Sequence, residues 1–136
     1  MGRFSRVGEH GVVWYALAAG GAWLDPQHRP LYLRSLRATL VAFGANQAIK
    51  LVVRRRRPRL PDLPPLSGTV TELSYPSAHA ATSLAAARTL SDALPAAAVY
   101  PIAAAMAVSR LYLGVHYPSD TLAGAALGDA IAKLTP

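Results

Sequence analysis

Between Gly11 and Leu134 the chain is a series of apolar, Ala- and Leu-rich stretches whose charges gather at their ends, and the run from Ala93 to Ser109 has no charged side chain at all. That run approaches the roughly 18 residues that mark a membrane span. It is apolar all round rather than along one stripe, so a water-facing helix is not its natural state.

Breakers divide the chain into five such segments, about Gly11–Leu24, Leu31–Val53, Ser77–Leu90, Leu94–Leu113 and Pro118–Leu134. Few β-branched runs interrupt them, and all five read as helices. Asp25–Pro30 and Ser91–Ala93 are ordinary helix connections that make their flanking helices antiparallel neighbours, whereas Arg54–Pro76 is the one long loop. Gly11–Leu24 would rise only about 21 Å at 1.5 Å per residue. Gly124 and Gly128 form a small-xxx-small pair suited to close helix approach. The expected fold is all-α, an integral membrane bundle of about five transmembrane helices. Residues 1–136 are read as one domain with no linker to a second, and either a first helix is lost or Met1–His10 lies along the interface.

Composition narrows the chemistry. With no cysteine there is neither a disulfide framework, a thiolate nucleophile nor a Cys-type zinc site. Fourteen Lys and Arg against seven Asp and Glu leave a formal charge of +7, which admits nucleic acid, anionic lipid or a phosphorylated substrate as partner.

Three clusters at helix ends choose among these. Lys50 precedes Arg57-Pro58 by a fixed interval, Tyr75-Pro76-Ser77-Ala78-His79 opens the third helix, and Ser109-Arg110 is followed by His116 and Asp120 across the join of the fourth and fifth. If the helices alternate in direction, all three clusters lie at one face. Lys50, Arg57 and Arg110 then meet two histidines able to move protons near neutral pH and one carboxylate. Arginine forks match phosphate oxygens, and the helix start at Pro76-Ser77 offers free N–H groups, so the natural ligand is a phosphoryl group.

These spacings, Lys-x6-Arg-Pro, Pro-Ser-x-His and Ser-Arg-x5-His-x3-Asp, resemble the three-part signature of the type 2 phosphatidic acid phosphatase superfamily, which includes vanadium haloperoxidases. The resemblance covers about residues 48–128 and implies an acid phosphatase/haloperoxidase-like core. It implies His116 as the nucleophile, forming a phosphohistidine, with Asp120 fixing its tautomer and aim. It also implies His79 as general acid and then base, with Lys50, Arg57, Ser77, the Ala78 backbone N–H and Arg110 holding the phosphoryl oxygens. No metal or cofactor is implied. Ala78 stands where the family usually has Gly, which bears on substrate fit, and only two helices precede Lys50 where many membrane members have more.

The resulting expectation is a metal-independent lipid phosphatase in the plasma membrane of a bacterium, its site on the extracytoplasmic face because His28, Arg29, Arg34, Arg37 and Lys133 gather at the opposite end. Its partner would be a phosphorylated membrane lipid, polyprenyl-linked (undecaprenyl or decaprenyl diphosphate, or decaprenylphosphoryl-phosphoribose), with no nucleic acid involved. Phosphatidic acid and phosphatidylglycerophosphate are the alternative substrates. The alternative from another class is a basic module that binds nucleic acid or anionic lipid through Arg54–Arg59 without turnover. Arg54–Arg56 read as a solvated or headgroup-facing run, Asp129 as solvated or interfacial, and Glu9 and His10 as an amphipathic entry to the first helix.

Overall fold

A computed structural model describes residues 11–58, 69 and 71–136. The five helices run α1 Val12–Leu24, α2 Arg29–Val53, α3 Ala78–Leu90, α4 Ala96–Tyr112 and α5 Pro118–Leu134, with a short 3-10 turn at Pro26–His28. Met1–His10 lies outside the described residues, and with it the reading of Glu9 and His10.

The short helix α3 is the axis of the bundle and contacts all four others. Its sequence explains the position: Ala80, Ala81, Ala85, Ala86 and Ala87 are all buried, and alanine on several sides lets neighbours close in from several directions. Gly124 and Gly128 give α5 the tightest approach. A Cβ at Gly124 would run into the Ser77 carbonyl oxygen and one at Gly128 into that of Ala81, so the glycine pair works in packing, as its spacing suggested.

On α1, Trp14, Ala18 and Ala22 recur every fourth residue as its buried stripe. The Trp14 indole N–H donates to Ser83 Oγ at 2.9 Å within the core. Helix α2 turns a more polar face inward: Ser35, Thr39, Asn46 and Lys50 are buried, while Leu40, Leu51 and Val52 point outward and Val52 is 83% exposed. Among the described residues, one helix, Pro26–Val53, is long and apolar enough to cross a membrane by length and composition, and Val12–Leu24 and Ala96–Tyr112 are shorter apolar helices.

Arg34 ties together the end of the bundle where α2 begins. It donates to Asp92 Oδ2 at 2.7 Å and to the carbonyls of Thr135 at 2.9 Å and Ala132 at 3.1 Å, occupying oxygens the last turn of α5 leaves unpaired. Asp129 is paired there as well, with Lys133 at 2.6 Å and Arg88 at 3.4 Å.

The opposite end carries the sequence clusters. Helix α2 stops where Arg54 adopts a left-handed φ of 51°, its N–H returning to the Lys50 carbonyl at 2.9 Å. This conformation is usually glycine's and is costly for a residue with a Cβ. The chain then runs back beside the approach to α3. Ser74 N–H donates to Arg55 O at 2.8 Å, Arg57 N–H to Glu72 O at 3.1 Å, and Arg56 and Leu73 form an antiparallel bridge.

Candidate active site

The described ends of the α2–α3 loop, residues 54–58 and 71–77, and the α4–α5 join meet at the N-terminus of α3. Ser77 N–H donates to the Asp120 carbonyl at 2.9 Å, linking the starts of α3 and α5. Asn46 Nδ2 donates to the Pro76 carbonyl at 3.0 Å, linking α2 to the same place. Gly114, at a φ of 68°, turns the chain out of α4 so that His116 points back across the bundle end.

A cavity of about 60 Å³ opens there, and its walls carry Lys50, Arg57, Ala78, His79, Arg110 and His116. Five of these six are cationic or imidazole side chains, contributed by α2, α3, α4 and two loops. Lys50 is 5% and Arg110 3% exposed, so their charges are held away from water. A dianion entering the cavity would meet fixed positive groups without reorganisation, which favours oxyanions strongly at low local dielectric.

His116 has a defined electronic arrangement. Arg57 Nη1 lies 3.0 Å from His116 Nε2 and 2.8 Å from the Val115 carbonyl, and its Nε donates to the Thr71 carbonyl at 2.8 Å. A guanidinium only donates, so Nε2 is the lone-pair nitrogen and the ring proton sits on Nδ1. Nδ1 in turn faces Asp120 Oδ2 at 3.5 Å, within ion-pair range but outside hydrogen-bond geometry, so the pair is aimed without being closed. Asp120 is wholly buried, and its Oδ2 accepts the Tyr117 N–H at 2.9 Å.

Burial, followed by the Arg57, Arg110, Lys50 and His79 charges, pushes the His116 imidazole down to about 2. The neutral ring therefore persists well below the ordinary histidine value of about 6.5. A folded-state value below the unfolded one means that its contribution to stability is complete above about 6.5 and declines as pH falls through the window beneath. In a nitrogen-15 imidazole spectrum at pH 5, His116 is expected to remain neutral with its proton on Nδ1. A protonated ring at that pH would show that the surrounding cations do not act on it.

Of the eight site residues expected from sequence, six line the cavity. Asp120 stands behind His116, and Ser77 stands behind the cavity wall. The Ser77 Oγ accepts the Ala80 N–H at 3.4 Å as the N-cap of α3, and its own N–H is committed to Asp120. Ala78 reaches the cavity with its methyl group present.

Arg54 and Arg56 are exposed, as expected of a solvated or headgroup-facing run, and Arg55 alone departs from that reading. The left-handed turn at Arg54 splits the run. Arg57 enters the cavity, and Arg55 reaches Asp120 Oδ1 at 3.0 Å and Ser119 Oγ at 2.8 Å while lying over the Tyr117 ring at 4.0 Å. Phe43, Gln47, Thr69 and Thr71 also border the cavity and had drawn no attention in the sequence. Phe43, Gln47 and Lys50 follow one another at steps of four and three residues on one helix face, a signal available only after Lys50 is placed.

Residues 31–136 match the profile of the PAP2 superfamily. The chain belongs to the PAP2 superfamily. Decaprenylphosphoryl-5-phosphoribose phosphatase of Mycolicibacterium smegmatis is 44% identical to this PAP2 protein over 120 residues, which is 88% of this chain and 67% of that one. The Mycobacterium tuberculosis H37Rv protein of the same name is 40% identical over 134 residues, 96% of this chain and 73% of that one. A crystal structure of a transmembrane PAP2-type phosphatidylglycerolphosphate phosphatase from Bacillus subtilis superposes with a TM-score of 0.72. It covers 97% of this chain and 71% of that one at 24% identity, and so shares the fold. This PAP2 member is an enzyme of the phosphatase class, and the reading as a basic module without turnover is set aside.

Proposed function

We propose that the protein is a membrane-embedded lipid phosphatase that hydrolyses a polyprenyl-linked phosphate through a phosphohistidine, with decaprenylphosphoryl-5-phosphoribose, named for its mycobacterial relatives, as leading substrate. The observation that carries the reading is the convergence of Lys50, Arg57, Arg110, His79 and His116 on one cavity at the bundle end. Membrane embedding is supported by the outward apolar side chains, Trp23, Leu40, Val52, Val108 and Leu122 among them, around a core that buries Lys50, Arg110 and Asp120. The basic cluster of Arg29, Arg34, Arg37 and Lys133 at the other end supports a site on the extracytoplasmic face.

The phosphoryl group binds between Lys50, Arg57 and Arg110, with the Ala78 N–H at the start of α3 as a further donor. Arg57 leaves Nε2 of His116 for the incoming oxygens and thereby frees the lone pair. Nε2 attacks phosphorus, the bond from phosphorus to the leaving oxygen breaks, and His79 gives that oxygen a proton. His79 then takes a proton from water as the water cleaves the phosphorus–nitrogen bond, and inorganic phosphate departs. Asp120 holds the imidazolium in place throughout. The cations stabilise charge spread over the equatorial oxygens.

Gln47 and Phe43 supply the argument for a sugar-linked phosphate. The Gln47 amide makes no hydrogen bond to a described residue and borders the cavity beside the Phe43 ring. An amide and an aromatic face suit the hydroxyls and carbon face of a ribose.

The test is phosphate release in EDTA from decaprenylphosphoryl-5-phosphoribose, polyprenyl phosphates and diphosphates, phosphatidic acid and phosphatidylglycerophosphate, by wild type and Gln47→Leu. The sugar-linked phosphate is expected to be preferred. Gln47→Leu is expected to lower kcat/KM for it by about tenfold, one lost hydrogen bond, with little effect on phosphatidic acid. Preference for a glycerophospholipid would overturn the polyprenyl assignment, and loss of release in EDTA would overturn metal independence.

A further inference from the structure

We propose that Arg55 is a positioning residue for the reaction: it holds the Asp120 carboxylate in the orientation from which that carboxylate governs His116. The proposal rests on the functional reading above and adds a residue outside the cavity.

Asp120 is fully buried, and a buried carboxylate needs its charge and lone pairs satisfied. Oδ2 is occupied by the Tyr117 N–H at 2.9 Å and faces His116 Nδ1 at 3.5 Å. Oδ1 is held by Arg55 at 3.0 Å. The carboxylate plane is thus set by two anchors on opposite oxygens, one of them backbone at the start of α5 and the other the Arg55 guanidinium.

Arg55 is itself fixed from three directions. Its carbonyl accepts from Ser74 N–H at 2.8 Å and from Ser74 Oγ at 3.3 Å, and its guanidinium donates to Ser119 Oγ and lies over the Tyr117 ring, 4.0 Å from its centroid. Its side chain is 38% exposed and does not border the cavity, so Arg55 reaches Asp120 from outside the cavity.

Without Arg55, Oδ1 loses its anchor and the carboxylate is free to rotate about the Tyr117 contact. It can then swing fully onto Nδ1 or away from it. Either movement disturbs the aim of an imidazole whose Nε2 must meet phosphorus in line. The charges acting on this ring come from Lys50 on α2, His79 on α3, Arg110 on α4 and Arg57 in the loop, and the Asp120 carboxylate on α5 faces its Nδ1 at 3.5 Å. Arg55 is not one of these cations, and its guanidinium bonds the Asp120 carboxylate directly at 3.0 Å.

Arg55→Gln and Arg55→Ala are expected to lower kcat by about 10- to 100-fold, the scale of losing one hydrogen bond to a charged group. KM should change little, and Arg55→Lys should restore part of the loss. Combined with Asp120→Asn, Arg55→Gln should add almost nothing, because both act through one carboxylate. The His116 Nδ1–H resonance should shift in Arg55→Gln but stay in place in the neighbouring control Arg56→Gln.

A loss confined to KM, additive losses with Asp120→Asn, or an unmoved His116 resonance would overturn the proposal. The spectroscopic arm needs no substrate. Absence of phosphate release by wild type would therefore count against the functional reading alone, and the Nδ1–H resonance would still decide on Arg55.

Discussion

His116→Ala is expected to reduce phosphate release by about 10^5- to 10^6-fold, the scale on which enzymes fail when a nucleophile is removed, while the protein still folds. The fold should survive because the ring's close contacts are to the site itself: Arg57 at 3.0 Å and Asp120 at 3.5 Å. His79→Ala should fail differently. A general acid contributes about 10^2- to 10^4-fold, and the loss should shrink with a leaving group that needs no proton, such as p-nitrophenolate. A phosphoenzyme should then accumulate in His79→Ala and be absent from His116→Ala. Quench-flow with a phosphorus-32 substrate checks both. Turnover near wild type in His116→Ala would end the phosphohistidine mechanism.

The second large effect falls on the fold. At Gly128 an added Cβ meets the Ala81 carbonyl oxygen and lies 3.0 Å from Ala85 N, both backbone atoms with no rotamer to escape into. Gly128→Ala is expected to cost about 1–3 kcal/mol, the usual range for overpacking, and Gly128→Val more, enough to prevent a folded yield. At Gly20 nothing lies within 4 Å, so Gly20→Ala should stabilise by about 0.5–1 kcal/mol through helix propensity. Thermal unfolding in detergent of the two alanine variants reads the contrast directly. Equal effects would mean that α3 and α5 do not pack as closely as described. Gly124→Ala, pressing on the Ser77 carbonyl, should lower activity as well, since Ser77 N–H bonds Asp120 O at the site.

The helices and the place where the clusters meet were legible in the chain because both depend on short-range information. Alanine-rich stretches ended by Pro, Gly or charge define helices wherever they stand. Alternating helix direction then brings residues 50–57, 77–79 and 110–120 to one end with no knowledge of packing. Lys50, Arg57, Ala78, His79, Arg110 and His116 share a cavity for that reason. The close contact at Gly124 and Gly128 was also readable, since small residues four apart are one helix stripe.

Tertiary structure decided what depends on directions rather than positions. The motif singles out Arg57, but Arg54, Arg55 and Arg56 look alike in a string. A single left-handed residue, Arg54, rotates the following backbone so that Arg55 reaches Asp120 and Arg57 reaches His116. No pattern in the string marks that turn, because the φ of 51° sits on an arginine and not on the expected glycine. Ser77 shows the same dependence: its position in the motif is plain, yet only the docked helices show that its N–H meets the Asp120 carbonyl and that its Oγ accepts the Ala80 N–H, which leaves the hydroxyl hydrogen to donate. Backbone partners of this kind lie on different helices and become known only when the helices are docked. The sequence by itself therefore determined which elements form and which ends they share. The docked bundle decided which atom of each side chain faces the cavity, since that follows from close packing and hydrogen-bond satisfaction across the whole of it.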